Sequence, residues 1–389
     1  MSNTQRNLSR LLAIIVEHID IPQSYYEKAA ARHRSLAEWF HRKESKIAAF
    51  DPDVRPQGSF RFGTVNRPLD DKDEYDLDNV TVLKLLGKAD MTQQALKHLF
   101  GAEIKAYAAA HNMQSPVIEH NRCWRLHYAD EVRFHVDALP CVPEEMAAIR
   151  RLIDMGVDPF LAECMIAITD RRHPQYTQVT RAWLSSNPRG FARWFERKAA
   201  LGRIRILSEG RLKATVEDVP AYGWKTPLQQ GVQLLKRHRD VMFRENRDLA
   251  PISMIITNLA ANAYEGETDL ANALVTMVEK MPSFVRPARP RIPNPADPAE
   301  DYADKWAANP RLEGNFWLWH AAVSADIGKL TSLIGQSRLF DELSRTFMVD
   351  LTQEEREEFA VPVSQRVPAV VRAAPAVFIP SAPRPWGVQ

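Results

Sequence analysis

The spacing of apolar residues divides the chain into a mixed first part and a mainly helical second part. Apolar and aromatic positions recur at helical spacing from Gln23 to Ala49, which predicts one long amphipathic helix with Pro22 near its first turn. After Pro56 the pattern changes to short β-like runs with a helical run among them. The predicted strands are 77–86, 124–128 and 132–140, the helix is 91–112, and a hairpin at Ala129, Asp130 and Glu131 joins the last two strands. The sequence thus predicts a mixed α/β lobe from roughly Gln57 to Pro140.

The rest of the chain is predicted to be mainly helical. Residues 226–243 form the clearest helix, with Thr226 as its cap and Pro227 at the first helical position. Residues 282–298 hold six prolines and are predicted to cross the surface in an extended form. The end of the chain, 361–389, is rich in Pro and Ala and has no period, which predicts a flexible tail. Two further helices are predicted at 252–266, closed by Gly266, and at 316–330.

Composition narrows the class of protein. The formal charge of the chain is only +2, whereas a protein that coats duplex nucleic acid carries a large basic excess. We therefore expect no strong nucleic-acid binding, and any nucleotide should be met in a local pocket. The three cysteines show no CxxC spacing, which argues against a disulfide framework and a structural zinc site. With no signal-peptide core and no apolar run long enough to cross a bilayer, the sequence predicts a cytoplasmic protein without a membrane partner.

Candidate chemistry begins with an Asp-x-Asp pair in a β-like run. Asp76 and Asp78 are separated by one residue, and alternate residues of a strand point to the same face. Both carboxylates should therefore project together, while Tyr75, Leu77 and Asn79 face the other way. Two carboxylates on one face repel each other unless a cation lies between them. A hard, oxygen-liganded ion such as Mg²⁺ suits this pair.

A further carboxylate lies in the run FHVDALP. Phe134, Val136 and Ala138 alternate with His135 and Asp137, so Asp137 is predicted on the polar face of its strand. Three acids on neighbouring strands can hold two metal ions roughly 4 Å apart. One ion lowers the pKa of an attacking hydroxyl, and the other neutralises a triphosphate and its pyrophosphate leaving group. The pattern indicates phosphodiester formation.

A Gly-Ser dipeptide upstream of these acids adds a phosphate-binding element. Gly58 allows backbone amides to approach phosphate closely, and the Ser59 hydroxyl is a further donor. Taken alone, a Gly-Ser is usually an ordinary turn, and an Asp-x-Asp is usually a solvated edge or a helix cap. The order of all three elements on compatible local structure favours the functional interpretation. We interpret the acidic run 70–74 as a solvated loop that tunes access to the site.

With these residues the chain resembles a known family. A Gly-Ser followed by Asp-x-Asp and a distant third Asp is similar to the polymerase-β-like nucleotidyltransferase superfamily. The fuller string QGSFRFGT, RP, EYDLDNV resembles the cGAS/DncV-like nucleotidyltransferases (CD-NTases), bacterial synthases of cyclic oligonucleotide messengers in CBASS anti-phage defence. Together with four further strings the resemblance covers roughly residues 50 to 330. These strings are NPRGFARWFE (187–196), KTPLQQGVQLLKRHRD (225–240), PISMIITNLAANAY (251–264) and IPNPADPAEDYADKW (292–306).

The resemblance implies an α+β, bilobed fold in which a mixed-sheet catalytic lobe and a helical lobe enclose a triphosphate. The implied domains are N-terminal helices with a long spine helix at 1–55, the catalytic core at 56–143, the helical lobe at 144–345 and the tail at 361–389. The implied metal ligands are Asp76, Asp78 and Asp137. The implied nucleotide contacts are Gln57, Gly58 and Ser59 near the donor triphosphate, Lys236 at the terminal phosphates and Ser253 at the start of the next helix.

The implied activity is the synthesis of a cyclic di- or oligonucleotide from ATP, GTP or both, with two Mg²⁺ ions, or Mn²⁺ in their place. The implied partners are a downstream effector reached through the diffusible product and a CBASS regulatory or conjugating protein at the C-terminal tail. Two alternatives stay open at this point. One is a linear transferase of the oligoadenylate or tRNA-tailing type, which the near-neutral charge disfavours. The other is a nucleotide-binding module without turnover, against which the complete set of acids argues.

Overall fold

The strands of the mixed lobe form one sheet with a parallel pair at its centre. The computed structural model describes residues 3–70, 73–128, 134–209, 225–333 and 338–360. Among them the strand order is β1-β2-β5-β4-β3, with β6 on the end of β5 and β7 beside β6. Within the described part of this sheet, only β2 and β5 are parallel, and the other neighbouring strands are antiparallel. The strands are β1 (Pro52–Pro56), β2 (Tyr75–Leu83), β3 (Ile118–Glu119), β4 (Trp124–Tyr128), β5 (Phe134–Pro143), β6 (Ile166–Ile168) and β7 (Leu184–Ser186).

Helices cover the sheet and build the second lobe. The chain divides into two units, Met1–Asp350 and Leu351–Gln389, and the described part of the second unit is 351–360, which contains α13. The helices are α1 (Asn3–Ile19), α2 (Gln23–His41), α3 (Gly58–Phe62), α4 (Gln93–Ala110), α5 (Met146–Asp154), α6 (Pro159–Ala162), α7 (Pro188–Glu209), α8 (Pro227–Met242), α9 (Ser253–Ala263), α10 (Leu270–Lys280), α11 (Pro310–Ser332), α12 (Arg338–Phe347) and α13 (Gln353–Ala360). In the described part of the chain, no helix is long and apolar enough to cross a membrane.

One face of the sheet is the core face. Leu77 and Val136 point to it and pack in one apolar cluster with Phe40 of α2 and Phe100 of α4. Burial alternates strictly at the start of β2 and along most of β5, because every second residue faces this cluster. The acidic residues of both strands are therefore held on the opposite face, towards the helical lobe.

Helix α8 is the central element of the helical lobe. Thr226 caps it by accepting a hydrogen bond from the Gln229 amide, and the Gln229 side chain accepts one from the Thr226 amide. Pro227 occupies the first helical position, as predicted. Most of its side chains are buried, including the polar Gln233 and Lys236. Buried polar groups need hydrogen-bond partners, and Gln229, Gln233 and Lys236 find theirs in the catalytic lobe.

Several elements differ from the predictions. The long N-terminal helix ends at His41, and residues Ala48–Phe50 form only a 3₁₀ turn. Residues 282–298 do not simply cross the surface, because the hairpin of β8 (Pro293–Asn294) and β9 (Asp297–Asp301) buries Ala296 among them. Helix α9 ends at Ala263, three residues before Gly266, and α11 begins earlier than predicted. The predicted hairpin residues 129–131 and the tail 361–389 lie outside the described residues.

The sheet itself is larger than predicted. Strand β1 precedes the predicted start of the lobe, while β6 and β7 lie in the part predicted to be mainly helical. Prolines at both ends of β1 argue against a strand in a sequence-based prediction. The strand tolerates them because β1 lies at the edge of the sheet and pairs only with β2 among the described strands. The cysteines Cys123, Cys141 and Cys164 are all free, as the sequence predicted.

Candidate active site

Adjacent parallel strands bring the three predicted aspartates together. In the register of β2 and β5, Asp78 lies beside Asp137, and Asp76 lies beside His135. One ligand atom from each of Asp76, His135 and Asp137 lies within 4.8 Å of the others. The convergence follows from two alternating strands in register, since both place their polar positions on the same face.

Arg125 holds the carboxylate of Asp137. It lies opposite Asp137 on β4 and donates from Nε to Oδ1 and from Nη2 to Oδ2, both at 2.7 Å. The fork of a guanidinium matches a carboxylate, so this contact fixes the plane of the Asp137 side chain as well as neutralising it. The hydrogen bond to Asp137 raises the pKa of Arg125 above its already high ordinary value.

A histidine holds Asp76 in a comparable way. His135 Nε2 lies 2.9 Å from Asp76 Oδ1, and its Nδ1 lies 3.2 Å from Glu74 Oε2. Glu74 also accepts from His127 Nδ1 at 2.9 Å, so it is not simply part of a solvated loop as predicted. Burial alone would lower the pKa of His135, but the hydrogen bond to Asp76 and the charge of Asp76 outweigh it, and the pKa lies above its ordinary value.

Asp78 is the one of the three aspartates that forms no ion pair among the described residues, although the charges of His135 and Arg125 act on it from a distance. Among the described residues, none donates a hydrogen bond to its carboxylate. Loss of hydration, followed by the charges of Asp76 and Asp137, raises the pKa of Asp78 to about 7. An anion that protein atoms crowd and that like charges repel is satisfied by a cation placed between it and its neighbours. The donor set is rich in carboxylate oxygens, so it fits a hard divalent ion.

Gly58 allows the backbone to pass directly over Asp78. Its φ is +64°, and a Cβ at this position would lie 2.2 Å from Asp78 Oδ2, closer than any real contact. The Gln57 amide donates to the Asp78 carbonyl at 2.7 Å, and the Thr64 amide donates to the Ser59 carbonyl at 2.9 Å. The turn that begins at Gln57 is therefore fixed against the acidic strand, with room for no side chain larger than hydrogen.

A cleft of about 570 Å³ lies between this turn and the helical lobe. Lys236 of α8 lines it and donates from Nζ to the Thr64 carbonyl at 2.8 Å. Burial, followed by the nearby charge of Arg239, lowers the pKa of Lys236 to about 8. Arg239 donates to the Ser253 hydroxyl at 3.2 Å and so fixes the first residue of α9 on the same wall of the cleft.

Two more hydrogen bonds join α8 to the loop after α3. Gln229 Nε2 donates to the Phe62 carbonyl at 2.9 Å, and Gln233 Nε2 donates to the Val65 carbonyl at 2.6 Å. With Lys236 they occupy successive turns of one face of α8. Helix α8 therefore fixes both the position of the loop and the width of the cleft at this end.

The structure gathers most, but not all, of the predicted site residues around the cleft. Asp137 and Gln57 do not line the cleft, but both lie next to Asp78. Asp137 is its neighbour in the register of β2 and β5, and the Gln57 amide donates to the Asp78 carbonyl. Sequence reasoning missed Arg125, His135 and Glu74 as neighbours of the acids. The alternation of β4 and β5 gives a signal for the first two, because each lies on the polar face of its strand. The predicted residues that line the cleft are Gly58, Ser59, Asp76, Asp78, Lys236 and Ser253.

Transfer of a phosphoryl group needs carboxylates that converge on metal ions, and it needs positively charged side chains that face the phosphates. Carboxylates and positively charged side chains both lie along this cleft. The mixed sheet, the acidic strand pair and the helical lobe define a nucleotidyltransferase of the polymerase-β-like fold. Residues 52–141, from β1 into β5, match the family described as "Cyclic GMP-AMP synthase DncV-like, nucleotidyltransferase domain".

Similar proteins cover most of the chain. A c-di-GMP synthase of Roseivirga ehrenbergii is 28% identical over 320 residues, which span 81% of this chain and 77% of the relative. The cyclic dinucleotide synthase CdnG of Bradyrhizobium diazoefficiens is 25% identical over 327 residues, 77% of this chain and 70% of the relative. The solved structure of that CdnG in complex with GTP has a TM-score of 0.66 at 21% identity and covers 90% of this chain and 98% of its own. Over most of its length the chain is similar to the cGAS/DncV-like nucleotidyltransferases, the CD-NTases.

Proposed function

We propose that this nucleotidyltransferase makes a cyclic dinucleotide or oligonucleotide messenger from nucleoside triphosphates and releases pyrophosphate. The observation that carries the proposal is the convergence of Asp76, Asp78 and Asp137, where burial and the two neighbouring carboxylates raise the pKa of Asp78 to about 7. The names of the two relatives, a c-di-GMP synthase and a cyclic dinucleotide synthase, support the class of product. They also favour GTP as a substrate, with ATP as the second candidate.

The proposed cofactor is a pair of Mg²⁺ ions, with Mn²⁺ as a substitute. When bound, the ions activate the acceptor hydroxyl and neutralise the triphosphate. The chain itself orients the reacting groups. Arg125 fixes the carboxylate of Asp137, the turn at Gly58 fixes that of Asp78, and Lys236 and Ser59 hold phosphate oxygens of the donor nucleotide. Gln57 and Ser253 complete the proposed nucleotide contacts at the two walls of the cleft.

The product assay is the direct test of this function. Purified protein incubated with labelled nucleoside triphosphates and Mg²⁺ or Mn²⁺ should yield a product that resists phosphatase, because a closed ring has no terminal phosphate. The double change Asp76→Asn and Asp78→Asn should abolish the product with the fold retained, whereas Asp53→Asn, on the neighbouring strand and paired with Arg55, should leave it. Label that stays phosphatase-sensitive in every nucleotide mixture would refute ring closure. Extension of a tRNA or oligoadenylate primer would indicate a linear transferase instead.

A biological role follows from such a product. A diffusible cyclic nucleotide acts on a separate effector, and we propose that the chain serves anti-phage defence in this way. A regulatory or conjugating protein at the tail 361–389 remains part of the proposal. Co-expression with a candidate operon under phage challenge tests the role, since protection should disappear with the same double aspartate change.

Lys236 should matter for binding more than for chemistry. We expect Lys236→Ala to raise the KM for the donor nucleotide by roughly 10- to 100-fold and to change kcat only slightly, because a charge-assisted contact to phosphate is lost in ground and transition state alike. Since the pKa of Lys236 is about 8, the wild-type KM should rise as the pH increases from 7 to 9 and the ammonium loses its proton. The KM of Lys236→Ala should lack that rise.

Lys280→Ala serves as the control, because Lys280 is a half-buried lysine at the end of α10 that pairs with Glu265 and does not line the cleft. Steady-state kinetics at each pH supply both constants. If the KM of Lys236→Ala matched that of the wild type, Lys236 would not contact phosphate.

A further inference from the structure

Glu74, His135 and Asp76 form a hydrogen-bonded chain that ends at a candidate metal ligand. The imidazole of His135 lies between the two carboxylates, 3.2 Å from Glu74 Oε2 and 2.9 Å from Asp76 Oδ1. We propose that His135, held by Glu74, is a positioning residue that presents the free oxygen of Asp76 to the metal ion. This inference rests on the proposed metal-dependent function and adds to it two residues that act outside the set of aspartates.

Asp76 needs such support more than the other two acids. Asp137 is pinned by two hydrogen bonds from Arg125, and Asp78 is crowded by the backbone of Gly58. The side chain of Asp76 is 53% exposed and stands one residue from the start of β2. An exposed carboxylate rotates freely about its last bond, and fixing it costs conformational entropy. One hydrogen bond from His135 to Oδ1 selects an orientation and leaves Oδ2 for a cation.

Glu74 supplies the orientation of the histidine ring. Its Oε2 accepts hydrogen bonds from Nδ1 of His135 and from Nδ1 of His127. The two histidines are cross-strand neighbours on β5 and β4. With one ring nitrogen tied to Glu74, the other points to Asp76. Residues that bind metal ions are themselves held by hydrogen bonds of this kind. Removal of such a partner lowers metal affinity or activity by roughly 10- to 100-fold.

Direct ligation by His135 is the competing arrangement. Its ligand atom is among the three that lie within 4.8 Å of one another. The Nε2 atom, however, already lies at hydrogen-bond distance from Asp76. An imidazole ligand also favours Zn²⁺, Cu²⁺ or Ni²⁺ over Mg²⁺, whereas oxygen ligands suit Mg²⁺ and Mn²⁺. The two arrangements therefore predict different effects of the same substitutions.

Two substitutions of His135 separate its two hydrogen bonds. In His135→Gln the side-chain amide nitrogen takes the place of Nε2, so a donor towards Asp76 is kept. In His135→Asn the amide nitrogen takes the place of Nδ1, so only the donor towards Glu74 is kept. We expect the Kd for Mn²⁺, measured by calorimetry or electron paramagnetic resonance without nucleotide, to rise roughly 10- to 100-fold in His135→Asn and in His135→Ala. The Kd of His135→Gln should stay within roughly threefold of the wild type.

The dependence on Glu74 is tested by a double-mutant cycle. Glu74→Ala should weaken Mn²⁺ binding, and the double variant Glu74→Ala with His135→Ala should bind no more weakly than His135→Ala alone, because Glu74 acts through the ring. His98→Ala, an exposed histidine on α4, is the matched control and should bind as the wild type does. Melting temperatures without metal show that each variant is folded.

Three results would overturn the proposal. The first is a Kd for Mn²⁺ that is unchanged in His135→Ala, and the second is a Kd in the double variant that reflects the product of the two single effects. The third is a His135→Gln variant that loses Mn²⁺ binding as His135→Ala does and loses Zn²⁺ binding as well, because that combination indicates that His135 is a direct ligand. Because these measurements need no turnover, they stay separate from the product assay. A chain that shows this pattern of Mn²⁺ affinities but forms no ring would retain the inference and lose the proposed function.

Discussion

Asp78→Asn is expected to abolish phosphodiester formation, by roughly 10³-fold or more, and at the same time to stabilise the metal-free protein. Asp78 is crowded by protein atoms, faces Asp76 and Asp137, and has a pKa raised to about 7 by loss of hydration and by these two charges. Asparagine keeps the shape of the side chain and removes the repulsion. The substitution therefore separates what the carboxylate contributes to catalysis from what it costs the fold.

The gain in stability should depend on pH in a defined direction. A carboxyl group with a raised pKa binds its proton more tightly in the folded than in the unfolded chain, so the metal-free wild type becomes less stable as the pH rises from the ordinary value of 3.8 to about 7. Above pH 7 the group is ionised in both states and the cost is constant. The variant lacks this dependence, so its advantage should be full near pH 8 and disappear towards pH 4.

Thermal unfolding with a chelator and with Mg²⁺ measures both effects. At pH 8 with chelator we expect the variant to melt roughly 2–5 °C above the wild type. With saturating Mg²⁺ the order should reverse, because binding to the folded state stabilises the wild type alone. The control is Asp53→Asn, whose carboxylate is already neutralised by Arg55. A variant that melts below the wild type in chelator at pH 8 would show that the Asp78 charge is compensated after all.

Gly58→Ala is expected to reduce activity by roughly 100-fold or more without unfolding the protein. The new methyl group would lie 2.2 Å from Asp78 Oδ2, so either the turn or the carboxylate has to move. The positive φ of 64° adds backbone strain of about 1 kcal/mol. One small substitution is thus expected to displace both the proposed phosphate-binding turn and a proposed metal ligand.

A second glycine gives the matched control. Gly156 also has a positive φ, 89°, but a Cβ there meets nothing within 4 Å. Gly156→Ala should therefore cost similar strain and leave kcat and the Kd for Mn²⁺ unchanged. Comparing the two variants by kinetics and by melting temperature isolates the contact with Asp78 from the conformational cost. Equal activities in the two variants would show that the turn yields without disturbing the carboxylate.

The faces of the acidic residues could be predicted from sequence, but their neighbours could not. Alternation within each run is a local property, and it placed Asp76, Asp78 and Asp137 on polar faces, as the burial along β2 and β5 shows. That β2 pairs with β5, across the fifty intervening residues 84–133, is a long-range property that no local pattern carries. Only the family resemblance supplied it.

The register of the hairpin was the second missing quantity. The predicted strands 124–128 and 132–140 leave open which residues face each other. The structure pairs Tyr128 with Phe134, and this places Arg125 opposite Asp137 and His127 opposite His135. A shift of pairing would give Asp137 a different cross-strand partner. The residues that contact the proposed metal ligands could therefore not be predicted, although each lies on a polar face.

The lobe that supplies Lys236 shows the same limit. The apolar pattern of 226–243 predicted the helix, its cap and its proline. Burial of Lys236 against the Thr64 carbonyl depends on how the two lobes pack, and an isolated lysine on such a helix is more often a surface residue. Here the fold sets the pKa and the direction of the side chain.

The three hydrogen bonds from α8 determine when the nucleotide cleft can form during translation. They join residues that are 167, 172 and 168 positions apart, and the carbonyls of Phe62, Thr64 and Val65 leave the ribosome long before their donors do. A nascent chain that ends before Thr226 already carries every proposed metal ligand and the Gln57–Asp78 hydrogen bond, but it lacks the three hydrogen bonds from α8. The cleft is therefore complete only after α8 and the first residues of α9, which line it, have left the ribosome.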